Sequence, residues 1–145
     1  MDLLPALSSI LSSQPGIANA YLFGSRAKGR ERPDSDIDIA VDWASNLEAD
    51  GKAAAENDLR AAFADALGEL GERLDLVDLR AAGSTLGFRI IRDGKLILCR
   101  DRRAKVNLEA SIARRYDDEA GYRQLFRQAA IAAGLRLEAG VHGRR

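Results

Sequence analysis

Residues 24–43 read GSRAKGRERPDSDIDIAVDW. From Asp36 onward the stretch alternates with period two. Ile37, Ile39 and Val41 point to one face of a strand, and Asp36, Asp38 and Ala40 to the other. Ahead of it, Gly24-Ser25 interrupts an apolar run, ANAYLF at 18–23, which reads as a buried strand. Two sequential strands are usually neighbours. The pair therefore brings a glycine-serine turn and two carboxylates to a polar loop at one end of a sheet.

Residues 3–12 show Leu3, Leu7, Ile10 and Leu11 at helical spacing, with Asp2 as a cap and Pro5 tolerated in the first turn. Residues 47–70 carry the strongest helical stripe, Ala55, Leu59, Ala62, Phe63, Ala66, Leu67 and Leu70, ended by Gly71. RLDLVDL at 73–79 reads as a third strand. A helix over about 84–92, Gly94 and a last strand KLILC at 95–99 follow, then two helices over about 103–116 and 119–133. This order predicts an α+β fold, a mixed sheet with helices on one face and an added C-terminal helical segment. The expected division is a domain at 1–100 and an extension at 101–145 packed on it.

Carboxylates at i and i+2 on one strand face repel unless a cation lies between them. An all-oxygen pair with no His or Cys nearby suits Mg²⁺, which completes its shell with substrate phosphates. Gly24 permits the tight turn that aims amides at an anion, and Ser25 adds a hydroxyl. If Arg26 to Gly29 forms a helical turn, its dipole faces the same anion. Arg26, Lys28, Arg30 and Arg32 could meet phosphate charge.

A third carboxylate would complete a site for in-line transfer. Asp75 and Asp78 are the candidates. If helices cover the Ile37/Ile39 face, Leu74 and Leu76 join that core. Asp75 then falls beside Asp36 and Asp38, which makes it the preferred choice, as metal ligand or as the base for an attacking hydroxyl.

The composition bounds what else is possible. In 145 residues, 22 basic side chains balance 22 acidic ones, which speaks against a nucleic-acid coat. The balance hides an asymmetry. Residues 1–99 hold 11 basic and 16 acidic groups, and residues 100–145 hold 11 and 6. One cysteine allows no internal disulfide, and one histidine excludes HExxH zinc chemistry. No apolar run approaches a membrane span, and the N-terminus lacks the basic start of a signal peptide, so a cytoplasmic protein is expected.

GSRAKGRERPDSDIDIAVDW resembles the GS…DxD signature of the DNA polymerase beta-like nucleotidyltransferase superfamily, with ten residues between Ser25 and Asp36. It is most similar to the minimal nucleotidyltransferase (MNT) group. RLDLVDL and FRIIRDGKLIL look like that group's third strand and closing helix-strand unit, so the likeness covers about residues 17–99. The resemblance implies a nucleotidyltransferase-like fold in which Gly24, Ser25 and Arg26 hold a nucleoside triphosphate. Asp36, Asp38 and Asp75 would bind metal and carry catalysis, with Mg²⁺ as cofactor and ATP as substrate. Many minimal members are antitoxins paired with a HEPN-type RNase toxin, and some move AMP from ATP to a tyrosine of that toxin. The resemblance thus implies an enzyme, a toxin partner and a homo- or hetero-oligomer. A binding antitoxin without catalysis and a transferase with a small, aminoglycoside-like acceptor are the alternatives.

Other side chains carry plainer expectations. Lys28, Arg30 and Arg32 read as a solvated loop and Asp42 as a surface residue. Trp43 caps the core at a strand end, Cys99 reads as a small buried hydrophobe, and His142 belongs to the tail. The stripe Tyr122, Leu125, Phe126 reads as core packing; uncovered, it would be a partner surface. The basic tail reads as a solvated helix face, with a charged docking surface for a protein as its alternative.

Overall fold

In the computed structural model, which describes residues 2–134, the alternating stretch forms β2, Ile37–Trp43, buried along its whole length. The apolar run before it forms β1, Ile17–Phe23, antiparallel to β2. Two further strands, β3 (Leu74–Asp78) and β4 (Lys95–Cys99), complete a mixed sheet of order β3-β2-β1-β4. β3 runs parallel to β2 and β4 antiparallel to β1. Among the described residues six helices surround it: α1 (Leu4–Ser12), α2 (Ala49–Leu67), a single turn α3 (Glu69–Glu72), α4 (Ser84–Asp93), α5 (Arg102–Asp118) and α6 (Ala120–Ala132).

Strand alternation decides where the helices go. Ile37, Ile39 and Val41, with Ala20, Leu22 and Leu74, face Leu7, Ile10 and Leu11 of α1 and Ala55, Leu59 and Phe63 of α2. Pro5 sits in the first turn of α1, and Asp2 Oδ1 accepts the Leu4 N–H at 3.0 Å, both as expected. The long helix ends earlier than its apolar stripe suggests. Gly68 takes φ +60 and splits off α3, because residue 68 needs a left-handed backbone to turn the chain toward β3. Phe63 is fully buried in this layer. Phe63→Ala is expected to lower unfolding free energy by about 3–5 kcal/mol, measured from urea midpoints, because the void cannot fully collapse.

The opposite face is also covered, by the C-terminal segment together with α4. Tyr21 and Ala40 pack with Leu79, Ile90 of α4 and Leu108 and Ile112 of α5. Asp101 opens α5 by accepting the Ala104 N–H at 3.0 Å. Polar contacts reinforce the docking. The Tyr21 hydroxyl donates to Glu109 at 2.5 Å, and Lys105 lies 3.2 Å from the same carboxylate. Burial, then the bond to Glu109, pushes the Tyr21 hydroxyl far above the ordinary tyrosine range. Folded Tyr21 therefore keeps its proton where the unfolded chain releases it. Stability is complete below pH ~10 and falls as pH rises beyond it. Urea midpoints followed from pH 9 to 11 should fall less steeply in Tyr21→Phe than in wild type.

Three expectations change. Asp42 is not a surface residue. It is 1% exposed, its carboxylate 2.8 Å from Arg80 Nε and 3.3 Å from Asn19 Nδ2, because Arg80 folds over that end of the sheet. Cys99 is exposed rather than buried, because β4 is an edge strand. The stripe on α6 is not core: Tyr122, Leu125 and Phe126 are 81%, 67% and 65% exposed. Helix α6 is held from another side, by buried Ala130 and by Arg123 lying 3.6 Å over the Tyr116 ring, itself stacked on Phe88. Trp43 caps the core as expected, at 5% exposure. His142 lies outside the described residues.

Candidate functional site

The β1–β2 pairing places Phe23 opposite Asp38. The chain leaves β1 at Gly24, whose φ of +75 is left-handed backbone that glycine adopts without a side-chain clash. A second constraint acts at the same residue. A Cβ on Gly24 would stand 2.2 Å from Asp38 Oδ2, so the Asp38 carboxylate fills the space that a side chain would occupy. The glycine turn and the strand carboxylate are thus packed against each other, and Asp38 is fully buried.

After Gly24 the backbone makes a short helical turn. Ala27 N–H donates to Gly24 O at 3.2 Å, Lys28 N–H to Ser25 O at 3.2 Å and Arg30 N–H to Ser25 O at 2.9 Å. The amides of Ser25 and Arg26 precede the first of these donors, the position at which a helical turn offers N–H groups to an anion. Lys28, Arg30 and Arg32 are exposed, as the solvated-loop reading expects. Arg26 is half-buried and turned back on the loop: its Nε and Nη2 donate to Ser35 O at 3.2 and 2.9 Å.

The parallel pairing of β2 with β3 decides the geometry of the third acid. Asp38 is in register with Asp75, and Val41 with Asp78. Asp75 therefore stands on the Asp38 side of the sheet, while Asp78 belongs to the α2 side, where Lys52 lies 3.7 Å from it. Asp36 is half-buried one residue ahead of β2, continuing the alternation of Asp38. The structure thus gathers Gly24, Ser25, Asp38 and Asp75 at one end of one sheet face, with Asp36 at its lip.

The donor set fits a hard divalent cation. All candidate ligands are carboxylate oxygens, and the innermost is set against the turn that would hold phosphate. Among the described residues no three acidic, His or Cys side chains converge tightly enough to cage an ion unaided.

Three features had no signal in the sequence. Arg73 donates from Nη1 to Asp34 O, and its own carbonyl takes the Ile37 N–H at 3.2 Å, so it braces both sides of Asp36. The Asp42–Arg80 pair and the Tyr21–Glu109 bond tie β1 and β2 to the segments after β3 and β4. Such bonds depend on which element lies across the sheet.

Comparison with known proteins bears on the family and the fold. Residues 6–103 match the family described as polymerase beta, nucleotidyltransferase. The protein adenylyltransferase MntA of Shewanella oneidensis is 38% identical over 82 residues, 56% of this chain and 53% of that protein. The match thus spans about half the length of that curated relative. A solved toxin–antitoxin structure with AMP-PNP has a chain with 27% identity and a TM-score of 0.69, aligned over 88% of this chain and 98% of its own. A tri-AMPylated Shewanella oneidensis HEPN toxin in complex with MNT antitoxin gives 24% identity and a TM-score of 0.61, over 88% and 95%, a likeness of fold. Among the described residues no helix is long and apolar enough to cross a membrane.

Proposed function

The chain belongs to the polymerase beta nucleotidyltransferase family, and from that membership we propose that it is a Mg²⁺-dependent protein adenylyltransferase, the antitoxin of a HEPN-type toxin. It transfers AMP from ATP to a tyrosine hydroxyl of that toxin. The observation that carries the reading is the pairing of Asp38 with Asp75 on a face where Asp38 also packs against the Gly24 turn. Phosphate cradle and acids meet there, as transfer of a nucleotidyl group requires.

Gly24 and Ser25 grip the triphosphate through turn amides and the Ser25 hydroxyl. Asp36, Asp38 and Asp75 would hold Mg²⁺, which would supply neutralisation of the phosphate charge that develops in transfer. The acceptor oxygen attacks the α-phosphorus in line as its proton passes to Asp75. The bond from the α-phosphorus to the bridging oxygen breaks and pyrophosphate leaves. The exposed stripe Tyr122, Leu125 and Phe126 supports a protein acceptor, because protein partners cover apolar surface of this kind. We assign residues 1–100 to the transferase domain and 101–145 to its extension, and place the reaction in the cytoplasm, where ATP is available.

Intact masses after co-expression with the neighbouring toxin reading frame test this. The expected result is a partner heavier by whole AMP units with wild type and unmodified with Asp36→Asn. An unmodified partner bound equally by both proteins would replace catalysis with inhibition by contact. Neither complex nor modification would point to a small-molecule acceptor.

A further inference from the structure

We propose that Arg26 is a positioning residue that fastens the glycine-serine turn to the peptide entering Asp36, and so sets that carboxylate relative to the phosphate cradle. The role presupposes the nucleotide reading above, because the carboxylate it sets is one proposed to hold Mg²⁺.

The loop from Gly24 to Asp36 contains four basic side chains, Arg26, Lys28, Arg30 and Arg32. Three of them are exposed, and Arg26 is half-buried. Its Nε and Nη2 converge on one acceptor, the Ser35 carbonyl, at 3.2 and 2.9 Å, and Nη2 lies 3.5 Å from Arg32 O. Ser35 closes a small ring with Arg32 as well. Its N–H donates to Arg32 O at 3.0 Å, and its Oγ accepts the Arg32 N–H at 2.8 Å. The guanidinium therefore locks a folded unit and not one floppy carbonyl.

Asp36 follows directly. Its entering peptide is held through Ser35 O by Arg26, from the turn after β1. Its leaving peptide is held through Ile37 N–H by Arg73 O, from the start of β3. With both peptides fixed, the freedom left to the Asp36 carboxylate is in its own side chain. Arg26 follows Ser25 in the chain, so the same residue that opens the phosphate turn aims the carboxylate at its lip. A planar fork suits this two-donor grip, and a lysine could satisfy it only partly. Charge pointed at phosphate would not need the Ser35 carbonyl at all.

The test uses the whole chain with ATP, in Mg²⁺ and in EDTA, without any acceptor. Calorimetry gives nucleotide affinity and amide hydrogen exchange reports on residues 32–37. Arg26→Ala should weaken Mg²⁺·ATP binding by about tenfold or more and leave metal-free ATP binding nearly unchanged. Exchange at Arg32 and Ser35 should quicken in the same variant before any nucleotide is added. Arg26→Lys should recover part of both losses, and Arg30→Ala, on the same loop, should resemble wild type.

Equal losses with and without metal, with exchange unchanged, would make Arg26 a phosphate contact and overturn the proposal. So would a loss in Arg30→Ala as large as in Arg26→Ala, which would reduce the effect to loop charge. If wild type binds no Mg²⁺·ATP, the nucleotide reading fails and the link to metal fails with it. The exchange data then still separate a braced loop from a free one.

Discussion

Asp38→Asn should reduce AMP transfer by about three orders of magnitude or more, because charge neutralisation at the reacting phosphate contributes several kcal/mol. Asp38 is fully buried, against the glycine turn and in register with Asp75. It is thus the acid that joins the proposed metal ligands to the phosphate cradle. Asparagine keeps the shape and removes the charge, so the fold should persist. Thermal melts make the distinction. Wild type should melt higher with Mg²⁺·ATP than without, as any ligand bound only by the native state requires. Asp38→Asn should melt near the ligand-free wild type and show no such rise. Full activity or an intact rise in the variant would remove Asp38 from the site.

Gly24→Ala should lower stability and activity together. Its φ of +75 is uphill for alanine, and its new methyl would meet Asp38 Oδ2 at 2.2 Å. Left-handed strain and overpacking together are expected to remove about 2–4 kcal/mol of stability. Whatever folds should transfer no AMP, because the carboxylate must move to admit the methyl. Gly29 supplies the control. It has φ +69 with nothing within 4 Å of its Cβ position, so Gly29→Ala carries backbone strain alone, about 1–2 kcal/mol. A second control is the pair Gly24→Ala with Asp38→Ala. If the clash is real, the double variant is more stable than the sum of the single losses predicts. Additive losses would separate the glycine from the acid.

Much of this site could be read from the sequence because parity in strands is transmitted across a sheet. Ile37, Ile39 and Val41 mark the core side, Leu74 and Leu76 join them, and Asp75 then has to share the side of Asp38. Glycine and proline punctuation gave the elements, except where Gly68 divided a helix whose stripe continues past it. Parity says nothing about what lies across a face. Asp42 is buried by Arg80, from beyond β3, and Cys99 is exposed because, among the described residues, no strand lies outside β4. The 3.6-residue period of Tyr122, Leu125 and Phe126 marks an apolar side of α6 in the same way whether or not anything covers it. Arg26 was legible as a charge near phosphate, but its bond to Ser35 O depends on the loop's path and leaves no pattern in residue types.

The sheet order also sets a schedule. Gly24 and Asp38 lie 14 positions apart in the chain and meet within one antiparallel pair, so the contact between them closes a short loop. Asp75 reaches the same face only through a parallel pairing, with residues 44–73 forming the crossover between the two strands. Contacts of low sequence separation form sooner than distant ones. As the chain folds, the turn and the first two acids can assemble while the third is still absent. The face that carries all three acids is complete only once β3 has docked beside β2.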